Sequence, residues 1–495
     1  MDSLLSENVR ERILAEVTPT QSEIDLQKNV IDILKRALYE HQNSGRYSFS
    51  FIEAQGSTGR KQTQLKDSAD IDLFVGLRPE EYENILQKPT NERHDELDKL
   101  MNSLVADWFE PALKGLDVKN VQRTFSQHPY LSLRMKNLDV DILGCFDIDS
   151  ATLAEEGPIT AVDRTVHHTN YVADRLTDEK REDARILKSF AKACHAYGDK
   201  CAVGRMGITG VSLELIAIFS ESLNVGFGAL EGLREKPIDP LNRPVDELRK
   251  NPAFRDDYII LIDPTDYQRN IASSFAPRAY EWVRYSIRRL YKASKSGEEN
   301  TLVDLVLESP IPTAELPAWV KSHAFTREFL SDESRHYTIL RDKLYRVAKK
   351  IEASLQTEST GEPRFGETLV EVYFEDKAYS IGVLVENPNV SETYVRKGPP
   401  VEIKEAGVEF RKKHSIIEEK DGFLWTVEDR EWQDVELLID MVVEKNPVHG
   451  LSQSSVSTKC SQKVLNVLFR YVLPIEPSFL KKITKDKEGI HEIPW

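Results

Sequence analysis

Gly56-Ser57-Thr58-Gly59-Arg60, followed by Asp70-Ile71-Asp72-Leu73-Phe74-Val75, is the stretch on which the reading of this chain turns. A small Gly-Ser turn precedes two carboxylates spaced i, i+2 in a run of strand-forming residues. Alternate side chains of a strand share a face, so Asp70 and Asp72 point one way while Ile71 and Leu73 enter the core. Two like charges held that close repel each other and need a neutralising partner. A pair of divalent cations supplies one, and a nucleoside triphosphate beside a Gly-Ser backbone turn is their natural substrate.

Working outward, Thr18 reads as a helix cap, Pro19 as the first helical residue and Gln21 as the close of a capping box. Ile24, Val30, Ile33, Leu34, Ala37 and Leu38 then form an apolar stripe. Asn43-Ser44-Gly45 breaks that helix, and residues 47–52 alternate as a strand. Beyond the aspartates, residues 80–114 are charged and helical. Leu131-Ser132-Leu133-Arg134-Met135 and Leu138-Asp139-Val140-Asp141-Ile142-Leu143 are strands joined by Lys136-Asn137. The product is a helix-backed, mostly antiparallel sheet that carries every candidate carboxylate. Residues 165–300 read as helical, with Gly204, Gly207 and Gly210 at a turn. After residue 301 strands and helices mix, among them the strands at 370–374, 381–385 and 423–427.

A chain of 495 residues is too long for one core. Its 40% hydrophobic and 30% charged residues are those of a globular protein. It has no apolar run long enough to span a bilayer, and residues 1–7 lack the basic and apolar regions of a signal peptide. Cys145, Cys194, Cys201 and Cys460 are too few and too scattered for a disulfide framework, which points to a reducing cytoplasm. A net charge of −16 disfavours loose nucleic-acid binding, but phosphate contacts depend on local patches. Three candidate patches exist: Arg278, Arg284, Arg288, Arg289, Lys292 and Lys295; Arg411-Lys412-Lys413-His414; and Lys481-Lys482 with Lys485 and Lys487. Each reads equally as a solvated helix face.

The Gly-Ser turn with Asp70 and Asp72 resembles the active-site pattern of the polymerase-β-like nucleotidyltransferases. Further segments resemble the archaeal-type (class I) CCA-adding tRNA nucleotidyltransferases, in family order. They are Ile159-Thr160-Ala161-Val162-Asp163-Arg164-Thr165 with His167, Arg185-Ile186-Leu187-Lys188, Tyr197-Gly198, Ile262-Asp263-Pro264 leading to Arg269-Asn270, and Gly398-Pro399-Pro400-Val401. The resemblance implies a multidomain α+β enzyme. Its parts would be a catalytic head at 1–160, a helical neck at 161–300 that completes the nucleotide pocket, and a tRNA-binding body and tail at 301–495. The implied reaction is template-independent addition of C, C and A to the 3′ end of tRNA from CTP and ATP, with two Mg²⁺ ions as cofactor, in a cytoplasmic homodimer.

Asp70 and Asp72 would hold both ions, and a third carboxylate the ion beside the attacking hydroxyl. Asp139 and Asp141 share a strand face, so spacing does not choose between them; similarity to the family favours Asp141. The turn of N–H groups at Gly56 and Ser57 suits a triphosphate. By similarity Arg60 contacts the triphosphate too. Yet the segment from Ser57 to Asp70 is one residue longer than the family pattern and Gln64 replaces its tryptophan, which leaves Lys61 as a rival. His128, in Gln127-His128-Pro129-Tyr130, is similar to a histidine that supports the active site. His167, Lys188 and Tyr197 correspond to family residues holding the β- and γ-phosphates; without the family, Lys188 reads as a surface lysine. The resemblance makes Arg269, with Asn270, the reader of the incoming base edge, a task suited to a planar guanidinium fork. From the residues alone Arg269 is a salt-bridge partner of Asp263 or Asp266. Rival readings of the same head are an oligoadenylate or cyclic-dinucleotide synthetase, a defence-associated transferase acting on tRNA ends, and a non-catalytic RNA-binding protein. Three intact carboxylates argue against the last.

Overall fold

The computed structural model describes residues 4–42, 46–68, 70–125, 129–454 and 458–484. The chain divides into two units, one of Met1–Cys201 with Met206–Ser309 and one of Ala202–Arg205 with Pro310–Trp495. Apart from residues 202–205, the regions read above as head and neck fall in the first.

In that unit, period-two alternation builds a five-stranded sheet. Its strands are β1 (Phe49–Gln55), β2 (Asp70–Leu77), β3 (Val118–Phe125), β4 (Pro129–Met135) and β5 (Leu138–Phe146), ordered β1-β2-β5-β4-β3. The central β2–β5 pair is parallel and the other pairs are antiparallel. Ile71, Leu73, Val140 and Ile142 pack into a core with Val30, Leu34 and Leu38 of the Gln21–His41 helix. Trp108 closes this core and donates from Nε1 to the Leu38 carbonyl at 2.9 Å. Lys136 and Asn137 both have positive φ (49° and 67°), as the two-residue hairpin between β4 and β5 requires. The β3 strand is absent from the sequence reading because nearly all of its side chains are exposed, so it has no apolar alternation.

One helix start differs from expectation. Thr20, not Thr18, caps the Gln21–His41 helix, and Glu23 closes the capping box. Glu23 reaches back to the Thr20 N–H at 2.7 Å. Thr18 instead ends the preceding Glu7–Val17 helix, its N–H donating to the Leu14 carbonyl at 2.9 Å.

The remainder of the first unit is helical, chiefly Arg164–Ala173, Asp178–Ala193, Gly210–Phe219 and Pro277–Ser296. It also holds a ribbon, β6 (Ile262–Asp263) with β7 (Asp266–Asn270). Strands of two and five residues are too short for periodicity to register inside a helical stretch.

In the second unit a sheet ordered β14-β8-β10-β9 is formed by β8 (Ala324–Ser331), β9 (Thr368–Glu375), β10 (Ala378–Val385) and β14 (Leu451–Ser454). Leu344 and Ile351 of the Tyr337–Gln356 helix and Ile439 of the Val435–Lys445 helix share a core with Ile381 and Val383. A smaller sheet, ordered β11-β13-β12, comprises β11 (Thr393–Pro400), β12 (Ile417–Lys420) and β13 (Phe423–Asp429). Pro399 and Pro400 lie on its edge strand, where a missing N–H removes no central ladder bond.

The basic segments are largely matched by acids. Arg284 meets Glu235 at 2.7 Å, Arg288 meets Glu231 at 2.9 Å, Arg411 meets Glu419, and Lys482 lies 3.1 Å from both Glu367 and Glu386. Asn43-Ser44-Gly45, His128, Lys485 and Lys487 fall outside the described residues. No helix among the described residues is long and apolar enough to cross a membrane.

Candidate active site

Parallel pairing sets Asp70 opposite Asp139 and Asp72 opposite Asp141. In-register residues of adjacent strands share a face, so the four carboxylates form a two-by-two array over the sheet. The two candidates on β5 differ in surroundings. Asp139 is 69% exposed and lies 3.5 Å from Arg134. Asp141 is half-buried beside Asp72 and accepts a hydrogen bond from Ser132 of β4. Among the described residues, the carboxylates of Asp70 and Asp72 have neither an ion-pair nor a hydrogen-bond partner. Burial, then Asp141 and Asp70, push the Asp72 carboxyl up to about 6 against the pull of Lys61. Burial raises Asp141 despite Ser132, with Asp70 and Asp139 adding to the rise. Asp70 reaches solvent, but the protein around it and the Asp139 charge still raise its carboxyl against Lys200.

The turn after β1 is tied to this array. Gly56 has φ +67°, and a Cβ there would lie 2.7 Å from Asp72 Oδ2, so conformation and space both demand glycine. Thr58 Oγ1 donates to the Asp70 carbonyl at 3.0 Å, and the Thr63 N–H to the Ser57 carbonyl at 3.0 Å. From the Asp178–Ala193 helix three cations then grip the next segment by its backbone. Arg181 Nε donates to the Lys61 carbonyl (3.1 Å), Arg185 to those of Gln62 (2.6 Å) and Gln64 (3.2 Å), and Lys188 Nζ to that of Thr63 (3.0 Å). Spacing of i, i+4, i+7 puts the three on one face. Lys188 is therefore not a surface residue: it is 1% exposed and lies 2.7 Å from Glu214 Oε1.

Arg60 and its rival part company here. Lys61 is buried 2.7 Å from Glu214 Oε2, whereas Arg60 is 55% exposed and bonds to Asn170 and Asp174. Tyr197 follows the helix, as read, and its hydroxyl sits 2.7 Å from where a Gly210 Cβ would be. Burial, Glu214 and Asp70 raise its pKa well above the ordinary tyrosine value. Arg181 and Glu214 escaped the sequence reading; the basic stripe on a helix with a buried face was the available signal.

A second cluster forms around β6 and β7. His168 Nε2 lies 2.6 Å from Asp263 Oδ2, and Arg269 Nη1 lies 3.0 Å from the same oxygen. Although burial opposes it, the His168 bond holds the Asp263 carboxyl far below the usual range. Asp266 pairs instead with Arg164 at 2.7 Å. Arg269, 39% exposed, lines a cavity of about 680 Å³ with Arg164, Asp257 and Gln268; none of the four array carboxylates lines it. The Asn270 side chain is taken up by backbone and Asp257, donating to the Ile259 carbonyl at 2.7 Å and accepting from the Leu261 N–H at 2.9 Å. His167 lies 3.4 Å from Ser150, beyond the end of β5 opposite Asp139 and Asp141. Its neighbour His168 is the histidine that meets Asp263, the carboxylate Arg269 also reaches.

The family description "tRNA nucleotidyltransferase, second domain" matches residues 182–297, the part of the chain bearing Arg185, Lys188, Glu214 and Arg269. Together with the carboxylate array this makes the protein a nucleotidyltransferase. Similarity also runs nearly the length of the chain. A CCA-adding enzyme of Saccharolobus islandicus (strain Y.G.57.14 / Yellowstone #1) is 23% identical over 463 residues, which is 93% of this chain and 98% of that one. One of Methanocaldococcus jannaschii is 25% identical over 462 residues, 90% of this chain and 92% of that one. Over about nine-tenths of its length the chain is thus similar to archaeal CCA-adding enzymes. Among solved structures, CdnC of E. coli MS115-1 with ATP aligns with a TM-score of 0.44 at 16% identity, over 62% of this chain and 99% of that one.

Proposed function

We propose that this enzyme adds C, C and A in turn to the 3′ end of tRNA, taking CTP and ATP and releasing pyrophosphate without a nucleic-acid template. The observation that carries the reading is the in-register array of Asp70, Asp72, Asp139 and Asp141 beside the Gly56 turn. Asp70, Asp72 and Asp141 would hold two Mg²⁺ ions. Carboxylates raised by burial and then by mutual repulsion, with no ion-pair partner among the described residues, are the oxygen donors such hard cations take. Bound there, the ions would neutralise charge at the attacking hydroxyl and the departing pyrophosphate.

The chain's own groups do the rest. Asp141 accepts the proton of the 3′-hydroxyl. The amides at Gly56 and Ser57 cradle the triphosphate. Arg60, the exposed member of its pair of candidates, reaches the phosphates from solvent, and Lys188 and Tyr197 bound the pocket from the helix behind the turn. On the nucleobase side we assign the role to Arg269, with His168 holding Asp263 against it and Asn270 bracing the ribbon, while His167 is kept as a candidate phosphate contact. The unit beyond residue 310 grips tRNA, and the same reading makes the enzyme a cytoplasmic homodimer.

The test is to incubate purified protein and Mg²⁺ with tRNA ending before CCA, supply labelled CTP and ATP, and sequence the products. The expected product ends in CCA. Oligoadenylates or cyclic dinucleotides made without tRNA would refute the reading.

A further inference from the structure

Behind the Gly56 turn one carboxylate serves two ammonium groups. Glu214 Oε2 lies 2.7 Å from Lys61 Nζ and Glu214 Oε1 lies 2.7 Å from Lys188 Nζ. Thr63 Oγ1 also donates to Glu214 and lies 2.9 Å from Lys188 Nζ. All three charged side chains are buried: Lys61 at 5%, Lys188 at 1% and Glu214 at 1% exposure. We infer that Glu214 is a positioning residue for triphosphate binding, locking Lys61 and Lys188 into a buried cluster with one net positive charge behind the Gly56 turn. The inference rests on the transferase reading given above.

Charge balance carries the argument. A buried ammonium without a partner is strongly disfavoured, and a pair with one carboxylate each would be the stable arrangement. Among the described residues neither lysine meets another carboxylate. The excess charge is thus kept in the low-dielectric interior next to Asp72, where it acts strongly on nearby anions. It also has a defined direction. Lys61 follows the turn proposed to cradle the phosphates, and its charge already acts on Asp72. Lys188 lies against Gly210, whose Cβ would come within 3.4 Å of Lys188 Cε, so the cluster is fixed from a third element as well. Lys61 comes from the turn segment, Lys188 from the Asp178–Ala193 helix and Glu214 from the Gly210–Phe219 helix. Glu214 holds together the elements that shape the phosphate end of the site.

The experiment uses the full chain, with steady-state kinetics on tRNAs lacking CCA or the terminal A and a melting curve for each variant. Lys61→Met leaves the balanced Lys188–Glu214 pair and removes the excess charge. It should fold, raise KM for CTP and ATP alike by about 10- to 100-fold, and leave kcat and the KM for tRNA within about threefold. Glu214→Gln removes the shared anchor and should raise both nucleotide KM values as well, with a lower melting temperature. Should Glu214→Gln fail to fold, Lys61→Met alone decides. Unchanged nucleotide KM values in folded Lys61→Met would overturn the inference. So would parallel losses in kcat and tRNA KM, or failure of Lys61→Met to fold, since each marks a purely structural cluster. Wild-type protein that fails to extend tRNA would refute the transferase reading instead.

Discussion

Asp72→Asn should stabilise the nucleotide-free protein while abolishing transfer. Without metal at pH 8, Asp72 carries a charge that burial, Asp141 and Asp70 all disfavour, its carboxyl pushed from 3.8 up to about 6. A rise of about two pH units corresponds to about 3 kcal/mol against the native state. Solvent and salt at the open side of the site reduce this, so the expected gain is about 1–3 kcal/mol. The sign follows from proton linkage. A carboxyl raised in the folded state makes the native protein the better proton binder, so the penalty is full above pH 6. It fades as pH falls through 6 and is gone near the unfolded value, about pH 4. At about 2–4 °C per kcal/mol, Asp72→Asn should melt several degrees above wild type at pH 8. At pH 4 the two should nearly coincide, with about half the difference left at pH 5. The assay is calorimetry in EDTA at these pH values, repeated with Mg²⁺, alongside single-turnover addition of C and A. Mg²⁺ should raise the wild-type midpoint more than that of the variant, and more at pH 8 than at pH 5. An Asp72→Asn protein that melts below wild type at pH 8, or that keeps turnover within tenfold, would refute the reasoning.

Gly56→Ala combines a positive φ with a Cβ 2.7 Å from Asp72 Oδ2, so it should cost about 1–2 kcal/mol in stability and lower kcat more than it weakens tRNA binding, read by melting and by initial rates. Asp141→Ala should remove chemistry by orders of magnitude while retaining triphosphate binding, whereas Asp139→Ala, which loses only an exposed contact to Arg134, should stay within about tenfold; a larger defect at Asp139 would reverse their roles. Arg269→Ala should erode discrimination of CTP and ATP from UTP and GTP by about 5- to 150-fold, measured as misincorporation, and Arg269→Lys should not restore it. A uniform loss across all four nucleotides would reduce Arg269 to the partner of Asp263.

The head was legible because one signal settled two questions. Alternation buries Ile71 and Leu73 and by the same step turns Asp70 and Asp72 to the other face. Asp139 and Asp141 differ in their surroundings, an exposed contact to Arg134 against a bond from Ser132 of β4, and that is a tertiary fact no local pattern encodes. Lys188 was illegible for a related reason: a lysine is buried only when a counter-charge meets it, and Glu214 lies on a different helix. On a helix one residue is a turn of about 100°, which is why His167 faces Ser150 while His168 faces Asp263, a division that sequence spacing alone does not show. The ribbon of β6 and β7 stayed hidden because its strands are shorter than a period can reveal.

The same geometry explains how a departure from the family pattern is accommodated. The segment from Ser57 to Asp70, in which the resemblance implies one extra residue and Gln64 in place of a tryptophan, has both its ends at the carboxylate array. Its path is held at Lys61, Gln62, Thr63 and Gln64 through backbone carbonyls that Arg181, Arg185 and Lys188 bind. A carbonyl acceptor is present whatever the side chain, so this grip tolerates substitution along the segment. Gln64, buried at 1% exposure, donates a 2.9 Å hydrogen bond to Gln27. The extra residue is thereby absorbed between two fixed points, the Gly56 turn and the start of β2. Because those cations belong to the Asp178–Ala193 helix, the alignment of Ser57 with Asp70 depends on the helical region as much as on the sheet. Weakening the helix's hold on the loop should therefore disturb chemistry without touching a carboxylate.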